Sequence, residues 1–237
     1  MTELSLVLPV YNEPSIDKVV REVAALVDEL TPGAGEVIVV DDASTDGTGV
    51  IVDALARELS SVRVLHQVSN QGHGPALIRG FDESAGRWIG HLDTDDQIPT
   101  AELGRLWAVR EGRSLVLGNR RTRHDPRHRL VLTACVRSLV RLLAGRPVED
   151  ANVPCKLFTR ELWNEVRPLL ADDTFAPSLA LVILAARWDR PVCTLEVAHR
   201  PRSAGVSSLQ PRRLASVVVL ATRQTLRVAL VAARSRG

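Results

Sequence analysis

An Asp-x-Asp pair, Asp93-Thr94-Asp95, followed by Asp96 and Gln97, stands directly after the apolar run Trp88 to Leu92. Carboxylate oxygens at the carboxyl end of a strand suit a hard divalent cation, and such a cation suits a diphosphate. Taken alone, the triplet matches any solvated acidic turn, and most such turns only start a helix or face water. Two further clusters change its weight: Asn12-Glu13 follows the run Leu4 to Val10, and Asp41-Asp42 follows Glu36 to Val40. An ordinary strand-to-helix turn is satisfied by one capping side chain and a glycine. Several carboxylates on one rim repel one another unless a cation, or hydrogen-bond donors of a ligand, sit among them. A nucleotide with its metal supplies both. Asp41 or Asp42 would accept from a base N–H or a ribose hydroxyl, and Asp93, Asp95 and Gln97 would offer oxygens to Mg²⁺ or Mn²⁺. The plainer alternative makes Asp41 and Ser44 helix caps, a role expected in part for one of them.

The elements that must hold these residues alternate at the spacing of a parallel sheet. Leu4 to Val10 reads as a strand and Ser15 to Leu30 as a helix, with apolar residues at Ile16, Val19, Val20, Val23, Leu26, Val27 and Leu30. Pro32-Gly33 ends that helix. Glu36 to Val40 is a second strand, the polar turn Asp41 to Thr48 opens a helix to Leu59, and Val62 to His66 is a third strand. A glycine-rich loop, Asn70 to Pro75, leads into a helix over Ala76 to Ser84, and Trp88 to Leu92 is a fourth strand. Repeated units of this kind predict an α/β fold: a mostly parallel twisted sheet flanked by helices, binding its ligand at the carboxyl ends of the strands.

Four ordered motifs then carry a resemblance. Pro9-x-Tyr11-Asn12-Glu13, Val39-Val40-Asp41-Asp42-x-Ser44-x-Asp46-Gly47-Thr48, Asn70-x-Gly72-x-x-x-Ala76-x-x-x-Gly80 and Asp93-x-Asp95-x-Gln97-x-Pro99 resemble the successive motifs of family 2 glycosyltransferases with the GT-A fold. Within that family the chain is most similar to the dolichyl- and polyprenyl-phosphate sugar synthases, because the second half also matches in order. Gly118-Asn119-Arg120 with Arg123 and Asp125, Arg129 with Thr133, Asp150 followed by Lys156-Leu157-Phe158, and His199-x-x-Arg202-x-x-Gly205-x-Ser207 fall where those enzymes carry acceptor-side motifs.

The resemblance implies a division of labour. Pro9, Tyr11, Glu13 and Asp42 would hold the nucleotide, with Asp93, Thr94, Arg202 and Ser207 completing the donor site and Asp93, Asp95 and Gln97 around Mg²⁺ or Mn²⁺. The ion would neutralise charge on the leaving nucleoside diphosphate. Arg120, Arg129 and Arg202 would gather phosphate oxygens, a task suited to the planar guanidinium fork. Arg129 and Thr133 are assigned to the acceptor, and Asp150, Asp95 and Arg120 to catalysis. A sugar hydroxyl must lose its proton as it attacks, so a hydroxyl acceptor would make Asp150 the leading base. A lipid monophosphate is already anionic, and Asp150 would then orient acceptor or sugar. Inversion at the anomeric carbon is implied in either case. His91 and His199 are candidates for groups behind the site.

The implied reaction moves a hexose from GDP-mannose, UDP-glucose or UDP-GlcNAc to a polyprenyl phosphate. The alternatives are a hydroxyl acceptor on a soluble glycoside or secondary metabolite, and a non-catalytic nucleotide-sugar-binding scaffold. A nucleotidyltransferase is less compatible, since Leu8 to Glu13 lacks the glycine-rich basic phosphate loop such enzymes usually open with. Two stretches depart from the relatives: Pro154-Cys155 replaces a glycine and an aromatic, and Pro177-Ser178-Leu179-Ala180 stands where an acidic residue is usual. Both fall on the acceptor side.

Beyond Pro211, Arg212, Ser216, Arg223, Arg227 and Arg234 share one helical face, with Leu214, Val217, Val218, Ala221, Val228 and Ala232 opposite. This predicts a basic amphipathic helix, either lying on an anionic leaflet through residues 212–234 or packed on protein. Its longest apolar stretch, Val217 to Ala221, is far short of the roughly 20 residues that span a bilayer. The expected organisation is one GT-A domain over 1–210, with a nucleotide-sugar half at 1–100 and an acceptor half at 101–210, followed by the helix at 211–237. The start Met1-Thr2-Glu3 lacks a signal peptide's basic region. Cys135, Cys155 and Cys193 have no paired spacing, which fits a reducing cytoplasm and argues against a structural zinc site. Cytoplasmic placement at the membrane face follows as the expectation. A net charge of +2 over 237 residues gives no reason to invoke nucleic acid.

Overall fold

The computed structural model describes residues 1–95, 97–120 and 140–200, together with Gln224. Four strands come first, each with a helix after it: β1 (Leu4–Val10), α1 (Ile16–Leu30), β2 (Gly35–Asp41), α2 (Thr48–Glu58), β3 (Val62–His66), α3 (His73–Glu83), β4 (Trp88–Leu92) and α4 (Ala101–Ala108). The second half supplies β5 (Leu115–Arg120), helical residues 140–144, β6 (Cys155–Thr159), α5 (Arg160–Val166), α6 (Pro177–Arg187) and β7 (Val192–Val197). Among the described residues seven strands form one sheet in the order β3-β2-β1-β4-β6-β5-β7. β6 runs against its neighbours, pairing antiparallel with both β4 and β5. The mostly parallel α/β sheet expected from the sequence is the one observed.

Strands covered on both faces must be apolar at every position, and β1 and β4 are buried throughout. One face carries α1, α2 and α4, with Ile16, Val20, Val23 and Val27 recurring at helical spacing against Leu6, Val37 and Val39. The other carries α3, α5 and α6, where Phe81 packs edge-on to Phe158 and Trp163 with ring centroids 5.0 and 5.1 Å apart. Gly80 lets α3 lie close on β1, since a Cβ there would come within 2.3 Å of Val7 Cγ1. α3 begins three residues before the expected Ala76, because Pro75 falls in the first turn, where its missing N–H has no helical partner to lose.

The chain leaves β1 toward β2 on one side and later returns to pair β4 on the other. The carboxyl ends of β1 and β4 therefore flank the point where strand order reverses, the place an open α/β sheet leaves a crevice for a ligand. The helix expected over 211–237 lies outside the described residues except for Gln224, whose Oε1 accepts the Phe175 N–H at 2.8 Å. No helix among the described residues is long and apolar enough to cross a membrane.

Candidate active site

Register fixes the rim. Val10 pairs with Asp41, Asp41 with His66, and Val7 with His91, so Pro9 to Glu13, Asp41-Asp42 and Asp93 to Asp95 emerge side by side. Asn12 takes a left-handed backbone (φ 51°), and this tight turn is held from both ends. Its N–H donates to Ser44 Oγ at 3.0 Å and its Oδ1 accepts the Thr45 N–H at 2.8 Å. The Glu13 N–H donates to Thr48 Oγ1 at 3.0 Å, while the Tyr11 side of the turn is half exposed. Thr94 Oγ1 reaches the Pro9 carbonyl at 3.4 Å, closing the crevice floor between β1 and β4.

The two adjacent aspartates differ in task. Asp42 is buried and accepts three bonds, from Gln67 Nε2, the Gln71 N–H and the Gly72 N–H, each at 2.8 Å. It shapes the glycine-rich loop on its way into α3. Asp41 accepts the Ser44 N–H through Oδ1 and pairs with His66 Nδ1 at 2.9 Å through Oδ2. His66 reaches Asp53 with its other nitrogen at 3.0 Å. Its hydrogen bond to Asp53, partly opposed by burial and aided by Asp41, raises its pKa. Neither Asp41 nor Ser44 caps a helix, contrary to the expectation for one of them. Gly47 holds the N-cap of α2, and Asp46 Oδ1 accepts the Thr48 N–H instead.

Asp93 sits among titratable groups. Its Oδ1 lies 3.0 Å from His91 Nε2 and 3.7 Å from His73 Nε2. Burial pushes its carboxyl up, but the charge of His73 and the His91 hydrogen bond outweigh this and hold it at about 2. It is therefore an anion throughout the physiological range, as a metal-ligating carboxylate must be. Burial pushes His91 down to about 4 against the pull of Asp93, so its imidazole is neutral. Asp95 Oδ1 accepts the Gln97 N–H at 3.2 Å, and the Gln97 carbonyl accepts from Arg200 N at 2.7 Å. The donor set of Asp93, Asp95 and Gln97 is oxygen-rich and at least singly anionic, and it fits Mg²⁺ or Mn²⁺.

Toward β5 and β6, Arg120 and Asp150 meet. Arg120 Nε donates to Asp150 Oδ2 at 2.7 Å and Nη2 to Oδ1 at 3.0 Å, a bidentate pair whose side chains are 17% and 3% exposed. Two residues expected to act separately are thus one unit. Behind them Lys156 is fully buried on β6, opposite His91 in register. Its Nζ donates to the Ala151 carbonyl at 3.2 Å and to Ser178 Oγ at 2.5 Å. The departure at Ser178 therefore places a neutral hydroxyl on a buried ammonium. Burial lowers the Lys156 pKa from 10.5 to about 8, while the charges of Asp150 and Asp93 resist. Arg129, Thr133, Arg202 and Ser207 lie outside the described residues, as do Arg123 and Asp125.

The Lys156 shift has a measurable sign. Between about 8 and 10.5 the unfolded chain holds the lysine proton and the folded chain has released it, so stability rises with pH across that window. Relative to Lys156→Met, the native protein should gain about 3 kcal/mol from the lower to the upper limit. Urea unfolding at a series of pH values reads this. Parallel stability profiles for the two proteins would contradict a neutralisable buried lysine.

From the sequence, His91 is expected only behind the site, Lys156 only as part of a motif, and His73 only as a member of the glycine-rich loop. The available signals were a histidine inside the glycine-rich loop and another two residues before Asp93.

Comparison with known proteins now bears on this site. The Glycosyl transferase family 2 model matches residues 5–165. The chain is 32% identical over 207 residues to the undecaprenyl-phosphate 4-deoxy-4-formamido-L-arabinose transferase of Aeromonas hydrophila, covering 86% of this chain and 62% of that protein. It is 31% identical over 208 residues to glycosyltransferase AglD of Haloferax volcanii, covering 84% of this chain and 33% of the other. The chain thus spans less than two thirds of the length of these relatives. Glucosyl-3-phosphoglycerate synthase from Mycobacterium tuberculosis superimposes with a TM-score of 0.68 at 22% identity, over 98% of this chain and 80% of that one. That likeness shows a common GT-A fold. With the family model covering most of the chain, and with Pro9 to Glu13, Asp41-Asp42 and Asp93 to Asp95 gathered on one rim, the protein belongs to glycosyl transferase family 2.

Proposed function

We propose that the protein is a metal-dependent, inverting glycosyltransferase that moves a hexose from a nucleotide sugar to a polyprenyl phosphate. The observation that carries this is the placement of Asp93, beside Asp95 and Gln97, at the crevice between β1 and β4. Relatives named as undecaprenyl-phosphate sugar transferases point to the acceptor class. The M. tuberculosis synthase of the same fold has been solved with Mn²⁺ and UDP-glucose, which supports the donor class and the cation. Mg²⁺ or Mn²⁺, when bound, would neutralise charge on the leaving nucleoside diphosphate.

The chain's own residues do the rest. The Asn12 turn and Asp41 line the nucleotide end, with Tyr11, Glu13 and Asp42 in the same wall. Asp42 acts there by fixing the backbone of the loop from Gln67 to Gly72. Asp93 and Asp95 supply negative oxygens, with Thr94 joining them to Pro9. Both carboxylate oxygens of Asp150 are engaged by Arg120. A carboxylate clamped in this way suits orientation more than proton removal, which favours an acceptor that arrives already anionic. A phosphate meets that condition and a sugar hydroxyl does not. Arg129 and Thr133 complete the acceptor end in this account, and Arg202 and Ser207 the donor phosphates. Residues 212–234 would rest on the cytoplasmic membrane face, where the lipid acceptor resides.

The test is a transfer screen with Mg²⁺ or Mn²⁺, pairing UDP-glucose, UDP-GlcNAc and GDP-mannose with and without a short polyprenyl phosphate. Lipid-linked sugar from one donor is expected, and donor hydrolysis with no lipid product would move the acceptor to a hydroxyl compound. In the active pairing, Arg129→Ala should raise the acceptor KM about tenfold or more while the donor KM stays near its starting value. Equal increases in both would reassign Arg129 to the donor diphosphate.

A further inference from the structure

His73 and His91 converge on Asp93 from different elements, the first residue of α3 and the fourth of β4. One nitrogen from each histidine and one oxygen of Asp93 lie within 4.8 Å of one another. Two edges of this triangle, 3.0 Å from His91 Nε2 and 3.7 Å from His73 Nε2 to Asp93 Oδ1, bracket the edge of about 3.3 Å that ligands at about 2.0–2.1 Å impose on a tetrahedral ion. The imidazole rings stand 5.7 Å apart at 54°, tilted rather than stacked, so both can aim at one point. The ring of His73 is half exposed and can close the remaining gap, whereas His91 is held rigidly in the sheet.

A second observation concerns His91 itself. Its Nδ1 is buried with no hydrogen-bond partner. Coordination through Nε2 exchanges its 3.0 Å hydrogen bond to Asp93 for the cation and moves the ring proton to Nδ1.

We propose that His73, His91 and Asp93 form a site for a divalent transition cation, nitrogen-rich and distinct in its ligands from the Asp95 and Gln97 side of the loop. Two imidazoles and a carboxylate with open positions suit Zn²⁺, Co²⁺ or Fe²⁺, and they disfavour Mg²⁺, which prefers oxygen. The site rests on the proposed donor-metal assignment only in sharing Asp93. A cation held there ties the glycine-rich loop at the start of α3 to the end of β4, and so fixes the anion that faces the donor.

The experiment uses the full chain, freed of metal with a chelator and then titrated with Co²⁺ in the absence of donor and acceptor, following visible ligand-field absorption. One equivalent should bind, and a large excess of Mg²⁺ should not displace it. His73→Ala, at an exposed position that leaves the core intact, should weaken Co²⁺ binding by about tenfold or more. Asp95→Asn should leave the absorption and affinity unchanged. A native protein with no ligand-field absorption, ready displacement by Mg²⁺, or His73→Ala binding as tightly as the native chain would each overturn the site. Because no sugar is transferred in this measurement, a failed transfer assay would leave its outcome untouched.

Discussion

Asp95→Asn is expected to cut sugar transfer by at least about a hundredfold, the scale of losing one group that stabilises charge in a transition state. The fold should be unaffected. In the structure Asp95 Oδ1 accepts the Gln97 N–H at 3.2 Å, and the asparagine carbonyl can accept the same bond from the same place. What disappears is the negative charge that, in the proposed function, would face the cation and diphosphate. Steady-state kinetics with saturating Mn²⁺, alongside a thermal unfolding curve, separates the two effects. Near-normal turnover would remove Asp95 from the metal set.

The second large effect is on stability. Asp150→Ala takes from Arg120, whose side chain is 17% exposed, the carboxylate with which it makes a bidentate pair. It also removes the charge that helps Lys156 keep its proton. Breaking a buried pair from one side costs about 3–5 kcal/mol, because the remaining ion loses its partner without regaining water. Urea unfolding should show a loss of that size. Adding Arg120→Met to the same chain should recover part of it, as apolar replacement of both partners often does. Transfer should stay low in the double variant, since the orienting pair is absent. A single variant within about 1 kcal/mol of the native protein would show that the pair is energetically loose, and would return Asp150 to the role of a base.

The N-terminal sheet was legible because parallel strands buried on both faces announce themselves as apolar runs. Leu4–Val10, Val62–His66 and Trp88–Leu92 have the bounds expected from the sequence. The later strands were harder to see. β6 reads Cys155-Lys156-Leu157-Phe158-Thr159, and a lysine in the second position argues against a central strand until its buried partners, the Ala151 carbonyl and Ser178, are known. β7 is only half-buried along most of its length, as an edge strand is, and its pattern is correspondingly weak. The rim residues were found because each directly follows a strand. Pairings across the sequence were not. Arg120 and Asp150 are 30 positions apart and meet only because β5 and β6 are neighbours. His73 and Asp93 meet because α3 starts beside the end of β4. The adjacent Asp41 and Asp42 could not be told apart from sequence, since their separate tasks depend on where Gln67, Gln71 and His66 fall.

The most direct measurement of the central claim compares polyprenyl phosphate with the dephosphorylated polyprenol as acceptors, using the donor that the screen selects. The clamped Asp150 and the arginine-rich acceptor side predict sugar transfer to the phosphate and none to the alcohol. Equal or faster transfer to the alcohol would contradict the account, because it would require a proton-accepting group where the structure has a carboxylate held by Arg120.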